Sequence, residues 1–252
     1  MTPAVRVQAV GKTFALPRHR AWTLKERVRH PVASFGHDRL EALRDVSFDV
    51  APGEFFAVIG RNGSGKSTLL RCIAGIHEPD TGSVHVQSRI APFIELGVGF
   101  HPQLAARDNV TVAGTLMGLR RAEARRRVPR VIGFAELEEF VDMPLANYSS
   151  GMQVRLAFST SFQVDAEVLL FDEVLAVGDA LFQRKCLDTF ARLIGEGRTI
   201  LYVSHSLATV RQFADRVLLL ERGRMIQLGE PDAVIEEYER RNRERERAMG
   251  LR

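Results

Sequence analysis

Cysteine is scarce in this 252-residue sequence: only Cys72 and Cys186 occur, with no metal-like spacing. Both read as small core residues of a chain kept in a reducing cytosol, which excludes a disulfide scaffold and a cysteine-ligated metal. Long apolar runs are also missing, and none approaches the roughly 18–20 residues that a membrane-crossing helix needs. The N-terminal stretch Met1–Val7 lacks the apolar segment of a secretory signal. Internal repeats and low-complexity tracts are absent, so a solenoid or a tail-like chain is excluded.

What is present is 45% hydrophobic residues, enough to bury a full core in one compact, possibly lobed domain. A formal charge of +4 and a pI near 9.4 raise nucleic acid as a partner. The basic residues are mostly interleaved with acids, however. Glu236, Glu237 and Glu239 precede Arg240, Arg241 and Arg243 by four residues each, the pattern of a solvated helix over 231–252. One cluster does lean basic: Arg18, His19, Arg20, Lys25, Arg27, Arg29, His30, His37 and Arg39.

Val5–Val10 alternates at strand period and breaks at Gly11. Residues 17–40 read as an irregular insert, with two helical turns over Trp22–Arg29. A strand over Arg44–Val50 meets the Pro52-Gly53 turn, and Glu54–Ile59 is an apolar strand of the buried parallel kind. Helix follows over Ser67–Ile76, stopped by Glu78–Gly82. From Leu104 to Phe162 strand signals disappear, while Arg121–Arg127 and Phe134–Phe140 read as helix. Strands resume at Val168–Phe171, Thr199–Val203, Val217–Leu220 and Met225–Leu228. The alternation predicts an α/β fold with a mostly parallel sheet covered on both faces. The catalytic core is expected over 1–90 and 164–230, with a helical insertion over 100–163.

Gly60-Arg61-Asn62-Gly63-Ser64-Gly65-Lys66-Ser67, followed by Thr68, stands between an apolar strand and a helix start. That is the context a phosphate loop requires. Its glycines let backbone N–H groups turn inward around phosphates, and the helix aims its positive end at the same anion. Lys66 would reach the β- and γ-phosphates of ATP and Ser67 would offer its hydroxyl to Mg²⁺. A strand ending in two acids should supply the metal partner, and Val168–Phe171 followed by Asp172-Glu173 fits. Asp172 would hold Mg²⁺ through water and Glu173 would act as general base.

Asn147-Tyr148-Ser149-Ser150-Gly151-Met152-Gln153 precedes that strand and resembles the signature of the ABC family of transport ATPases, Leu-Ser-Gly-Gly-Gln. The resemblance implies a phosphate-loop NTPase fold with a helical signature subdomain and a small antiparallel β part. It also implies that Ser149 and Gly151 face the ATP of a second copy in a head-to-tail homodimer. By the same resemblance His205 is the switch histidine at the γ-phosphate, Asp179 a dimer contact, and Phe14 the ring that stacks on adenine. Glu95 stands nearest the place of the family's glutamine at the metal site, with Gln103 as the alternative.

Three departures come together: Tyr148–Met152, the Glu95–Pro102 loop, and Val174–Asp179 after the catalytic acid. Together they resemble the subunits that export lipid-linked polysaccharides such as O-antigen, capsule, teichoic acid and galactan. That implies a polytopic membrane permease as partner, a peripheral place on the cytoplasmic face of the inner membrane, and no nucleic acid. Trp22, Leu24 and Val28 would then face bilayer or permease. A soluble ABC ATPase acting on ribosomes or nucleic acid is the alternative, and a non-hydrolysing regulatory module a third reading.

Overall fold

The computed structural model describes residues 2–17, 37–93, 97, 99–162, 165–172 and 180–250. Nine strands and seven α-helices occur among them. A three-stranded antiparallel sheet has the order β2-β1-β4, formed by β1 (Val5–Pro17), β2 (His37–Val50) and β4 (Thr81–Val86). A six-stranded sheet has the order β5-β6-β7-β3-β8-β9. It comprises β3 (Phe55–Ile59), β5 (Ile90–Phe93), β6 (Val168–Asp172), β7 (Thr199–Val203), β8 (Arg216–Glu221) and β9 (Arg224–Gly229). All of its pairings are parallel except β8 with β9.

The helices are α1 (Lys66–Ile73), α2 (Ala106–Leu116), α3 (Arg121–Ala135), α4 (Ser150–Ser161), α5 (Ala180–Gly195), α6 (Leu207–Phe213) and α7 (Pro231–Ala248). β3 explains how the layers assemble. Its five residues are all buried because both faces of the strand are covered. Phe55, Ala57 and Ile59 join one core with Phe182, Phe190, Val210, Val234 and Ile235 of α5, α6 and α7. Phe56 and Val58 join the other, with Leu69, Leu70 and Ile73 of α1 and the inner face of the antiparallel sheet. Phe48 stacks on Phe56 at 4.9 Å and so ties the two sheets together. A third core, from α2, α3 and α4, is centred on Val110, Ile132, Tyr148 and Leu156.

Several boundaries differ from the sequence expectation. β1 does not stop at Gly11 but runs on to Pro17, absorbing the irregularity in register shifts around Ala9, whose φ is 48°. β2 begins at His37, so residues 37–40 are paired strand rather than irregular insert; the exposed Asp38 and Arg39 hid the pairing with β1. The helical run expected over Phe134–Phe140 is broken at Glu136, which takes φ 59° and is held by Lys185 and Arg155. Arg240 turns to Glu237 and Glu244 rather than to Glu236. The expected helical turns at Trp22–Arg29, with Leu24, Val28 and the basic residues Arg18–His30, lie outside the described residues.

Candidate nucleotide site

The strand order puts the carboxyl ends of β6, β7 and β3 side by side, the edge at which open α/β sheets bind ligands. Register makes this concrete. Asp172 is paired with Val203, and Val203 with Val58, so one row crosses the three strands. Two strand spacings place Asp172 Cα ~10 Å from Val58 Cα. Gly60 begins two residues after Val58, and Ser204-His205 follow Val203. The phosphate loop, Asp172 and His205 therefore share one edge of the sheet.

The loop itself is built by close backbone approach. A Cβ on Gly60 would lie 2.2 Å from the Leu220 carbonyl oxygen, and one on Gly65 would lie 2.4 Å from that of Ala42. Both positions also have positive φ, 153° and 108°, so only glycine lets the loop rest on β8 and β2. Gly65 is the N-cap of α1, which leaves the helix's first N–H groups without side-chain acceptors and turned toward the loop. Lys66 is buried, and its Nζ donates to the carbonyls of Gly60 at 2.8 Å and Arg61 at 3.1 Å. The ammonium is thus stretched along the inside of the loop. Arg61, Asn62 and Gly63 are exposed at its tip, Ser64 is buried beneath, and Ser67 and Thr68 are half-buried in the first turn of α1.

Asp172 is the half-buried end of an otherwise buried strand. Its carboxylate and the Ser67 hydroxyl are hard oxygen donors, the set that suits Mg²⁺. His205 is exposed in the bend after β7, between buried Ser204 and the α6 cap Ser206, and the Ser206 N–H donates to Ser204 Oγ at 2.9 Å.

Phe14 is mounted on β1 against the chain that leaves α1. Its ring meets His77 edge-on at 5.5 Å, and Lys12 Nζ lies 5.7 Å from the ring centre. Asp80 holds the segment: it accepts from Lys12 Nζ at 2.8 Å and from the Thr13 N–H at 2.6 Å. The Lys12 hydrogen bond, then that from Thr13, holds the Asp80 carboxyl below its ordinary range. Asp80 escaped sequence reasoning, although its place in the turn Pro79-Asp80-Thr81-Gly82 was a signal.

On the helical part, Ser149 is exposed and caps α4, its Oγ accepting from the Met152 N–H at 3.2 Å. Gly151 is exposed in the first turn. Tyr148 anchors the segment: it is buried, and its hydroxyl donates to the Phe140 carbonyl at 2.7 Å. Burial pushes the phenol pKa up. Gln103 stands in the turn before α2, exposed, with its N–H donating to His101 Nδ1. Glu95, Glu173 and Asp179 lie outside the described residues. Asn109 was missed in the sequence: fully buried on α2, it accepts from the His101 N–H at 2.6 Å and donates to the carbonyls of His101, Leu104 and Ala105.

A glycine-bounded phosphate loop at the edge of a parallel sheet, with an acid-tipped strand two positions away, defines a phosphate-loop ATPase. Residues 43–176 match the ABC transporter family, and the chain belongs to that family. It is 45% identical over 242 residues to the O-antigen export system ATP-binding protein RfbB of Klebsiella pneumoniae, covering 94% of this chain and 98% of that protein. It is 34% identical over 241 residues to the teichoic acids export ATP-binding protein TagH of Staphylococcus saprophyticus, covering 95% and 89%. Among solved structures, a dimeric ATP-binding cassette in a post-hydrolysis state, bound to ADP and Pi, aligns with a TM-score of 0.72 at 22% identity, covering 90% of this chain and 98% of that one. The protein is an ABC ATPase, an ATP-binding chain that hydrolyses ATP.

Proposed function

We propose that this ATPase drives export of a lipid-linked cell-surface polysaccharide through a polytopic permease, from the cytoplasmic face of the inner membrane. The observation that carries the proposal is the 45% identity to an O-antigen export subunit along nearly the whole length of both chains. Two chains sandwich two ATP molecules, each between the Lys66 loop of one and the Ser149–Gly151 segment of the other. Gly60–Thr68 bind the phosphates and Phe14 receives the adenine. Glu173 takes the proton of the attacking water, His205 contacts the γ-phosphate, and Asp179 meets the other copy.

Ser67 and Asp172, with Glu95, are the residues that would hold Mg²⁺. When bound, that ion neutralises charge on the β- and γ-phosphate oxygens. Closure of the sandwich moves the permease helices and hydrolysis reopens it, a local phosphate contact read out as rigid-body motion.

The pairing within α7 speaks against a nucleic-acid role, because Arg240, Arg241 and Arg243 each have a glutamate partner. Purification from native membranes tests the choice. Co-purification with a polytopic membrane protein, and accumulation of undecorated lipid-linked glycan inside cells carrying Lys66→Ala, is expected. Co-purification with ribosomes or RNA, and normal surface glycan in that strain, would overturn the proposal.

A further inference from the structure

The phosphate loop has a second support, behind it, that neither the nucleotide nor the signature segment explains. A cavity of about 200 Å³ separates the loop from α7; Gly60 and Ser64 form one wall, and Tyr238, Arg241 and Arg245 the other. The floor is the end of β8 and the turn into β9. Glu221 stands there, with 18% of its side chain exposed, and receives two arginines from α7: Arg241 at 3.1 Å, and Arg245. Arg241 is itself steadied by Glu237 at 2.6 Å.

Two residues beyond Glu221, the Gly223 N–H donates to the Ser64 carbonyl at 2.8 Å, and the Gly223 carbonyl accepts from the Arg44 N–H of β2 at 2.8 Å. The consequence follows from peptide geometry. A peptide unit is planar and trans, so its C=O and the next N–H point in opposite directions. With the Ser64 carbonyl held outward by Gly223, the Gly65 N–H is aimed inward, at the space where phosphate oxygens bind.

We propose that Glu221 is a positioning residue for ATP binding: by fastening the arginine face of α7 to the β8–β9 turn, it holds the Gly223–Ser64 contact and so the inward aim of the loop's N–H groups. Docking of α7 and affinity for ATP are then one linked equilibrium. A change in α7, whether by variation or by a bound partner, is felt at the phosphates without touching them. The contribution belongs to binding shared by ground state and transition state, because the aimed N–H meets the phosphates before and during reaction.

The test is steady-state ATP hydrolysis by the full chain with Glu221→Gln, with the pair Arg241→Gln and Arg245→Gln, and with all three changes combined. Glu221→Gln should raise KM for ATP about five- to tenfold and leave kcat within about twofold. The arginine pair should do the same from the other side, and the combination should be no worse than either, since all break one contact. High ionic strength should raise KM more in the parent than in Glu221→Gln, because salt reaches the Arg241 and Arg245 side chains, 34% and 31% exposed, and screens the ion pair. An unchanged KM, additive effects, or a lowered melting temperature with KM intact would overturn the proposal. If Glu221→Gln does not fold, the arginine pair on the outer helix decides alone. Lys66→Ala, which should abolish hydrolysis, checks the ATP site separately from this support.

Discussion

Gly151 is unusual among the glycines near the site because its own chain does not require it. A Cβ there would meet only Ser149 Oγ, at 3.9 Å, and its φ is not positive. Within a helix, glycine is about 0.5–1 kcal/mol worse than alanine. The contacts of its own chain thus give no reason for a glycine at the exposed start of α4, and the proposed function offers one in the phosphates of a second copy's ATP. Gly151→Ala should leave the melting temperature of the isolated protein unchanged or slightly raised, while ATP hydrolysis falls roughly a hundredfold through misplacement of the closing surface. A calorimetric scan beside a turnover assay separates the two effects. Activity at the parent level would remove Gly151 from the site. Gly60 and Gly65 contrast with it: a side chain at either would collide with backbone of the same chain, so their substitution should damage the loop before any partner arrives.

At the scale of the element, α2 is tied to its preceding turn by one side chain. Its sequence, with glycine, threonine, valine and asparagine in the interior, has weak helix propensity. Asn109 compensates by closing the turn His101–Ala105 onto the helix with four hydrogen bonds. Asn109→Leu leaves the His101 N–H without its acceptor, while the three carbonyls keep backbone donors, and should cost about 1–3 kcal/mol, read as a drop in urea midpoint with the slope unchanged. That helix was not legible in the sequence because its stability is tertiary.

β4 was illegible for a similar reason, being half-exposed and paired only with β1, and β5 carries Pro92 in a four-residue edge strand. What was legible were the segments whose local chemistry and burial agree: β3 with its glycine loop and α1, then β6, β7 and β8, which are apolar because both faces are covered. The site split along the same line. Lys66, Ser67 and Asp172 were legible from their motifs and adjoin strands that were also legible. Asp80, Asn109 and Glu221 act through contacts 67, 8 and 20 residues distant in sequence, which no local pattern encodes.

For the molecule as a whole, the two halves of the chemistry stand on different parts. Gly60–Thr68, Asp172 and His205 occupy the sheet edge, while Ser149 and Gly151 begin a helix that joins a separate core through Met152 and Leu156 and the sheet core through Phe158. Under the proposed function a second copy completes a reaction centre that requires both, and complementation tests that directly. Glu173→Gln should bind ATP without splitting it and accumulate as an ATP-dependent dimer in size-exclusion chromatography, reverting to monomer in ADP. Adding Lys66→Ala to the same chain should abolish the dimer. So should adding a bulky cation at the signature, Ser149→Arg. Mixing these two double variants leaves one intact composite site, the loop of one chain facing the signature of the other. ATP should then restore a heterodimer, at lower affinity than the parent pair. If each double variant dimerises alone, the copies meet elsewhere. If the mixture stays monomeric while Glu173→Gln dimerises, one site is too weak and both ATP molecules must bind together to close the pair.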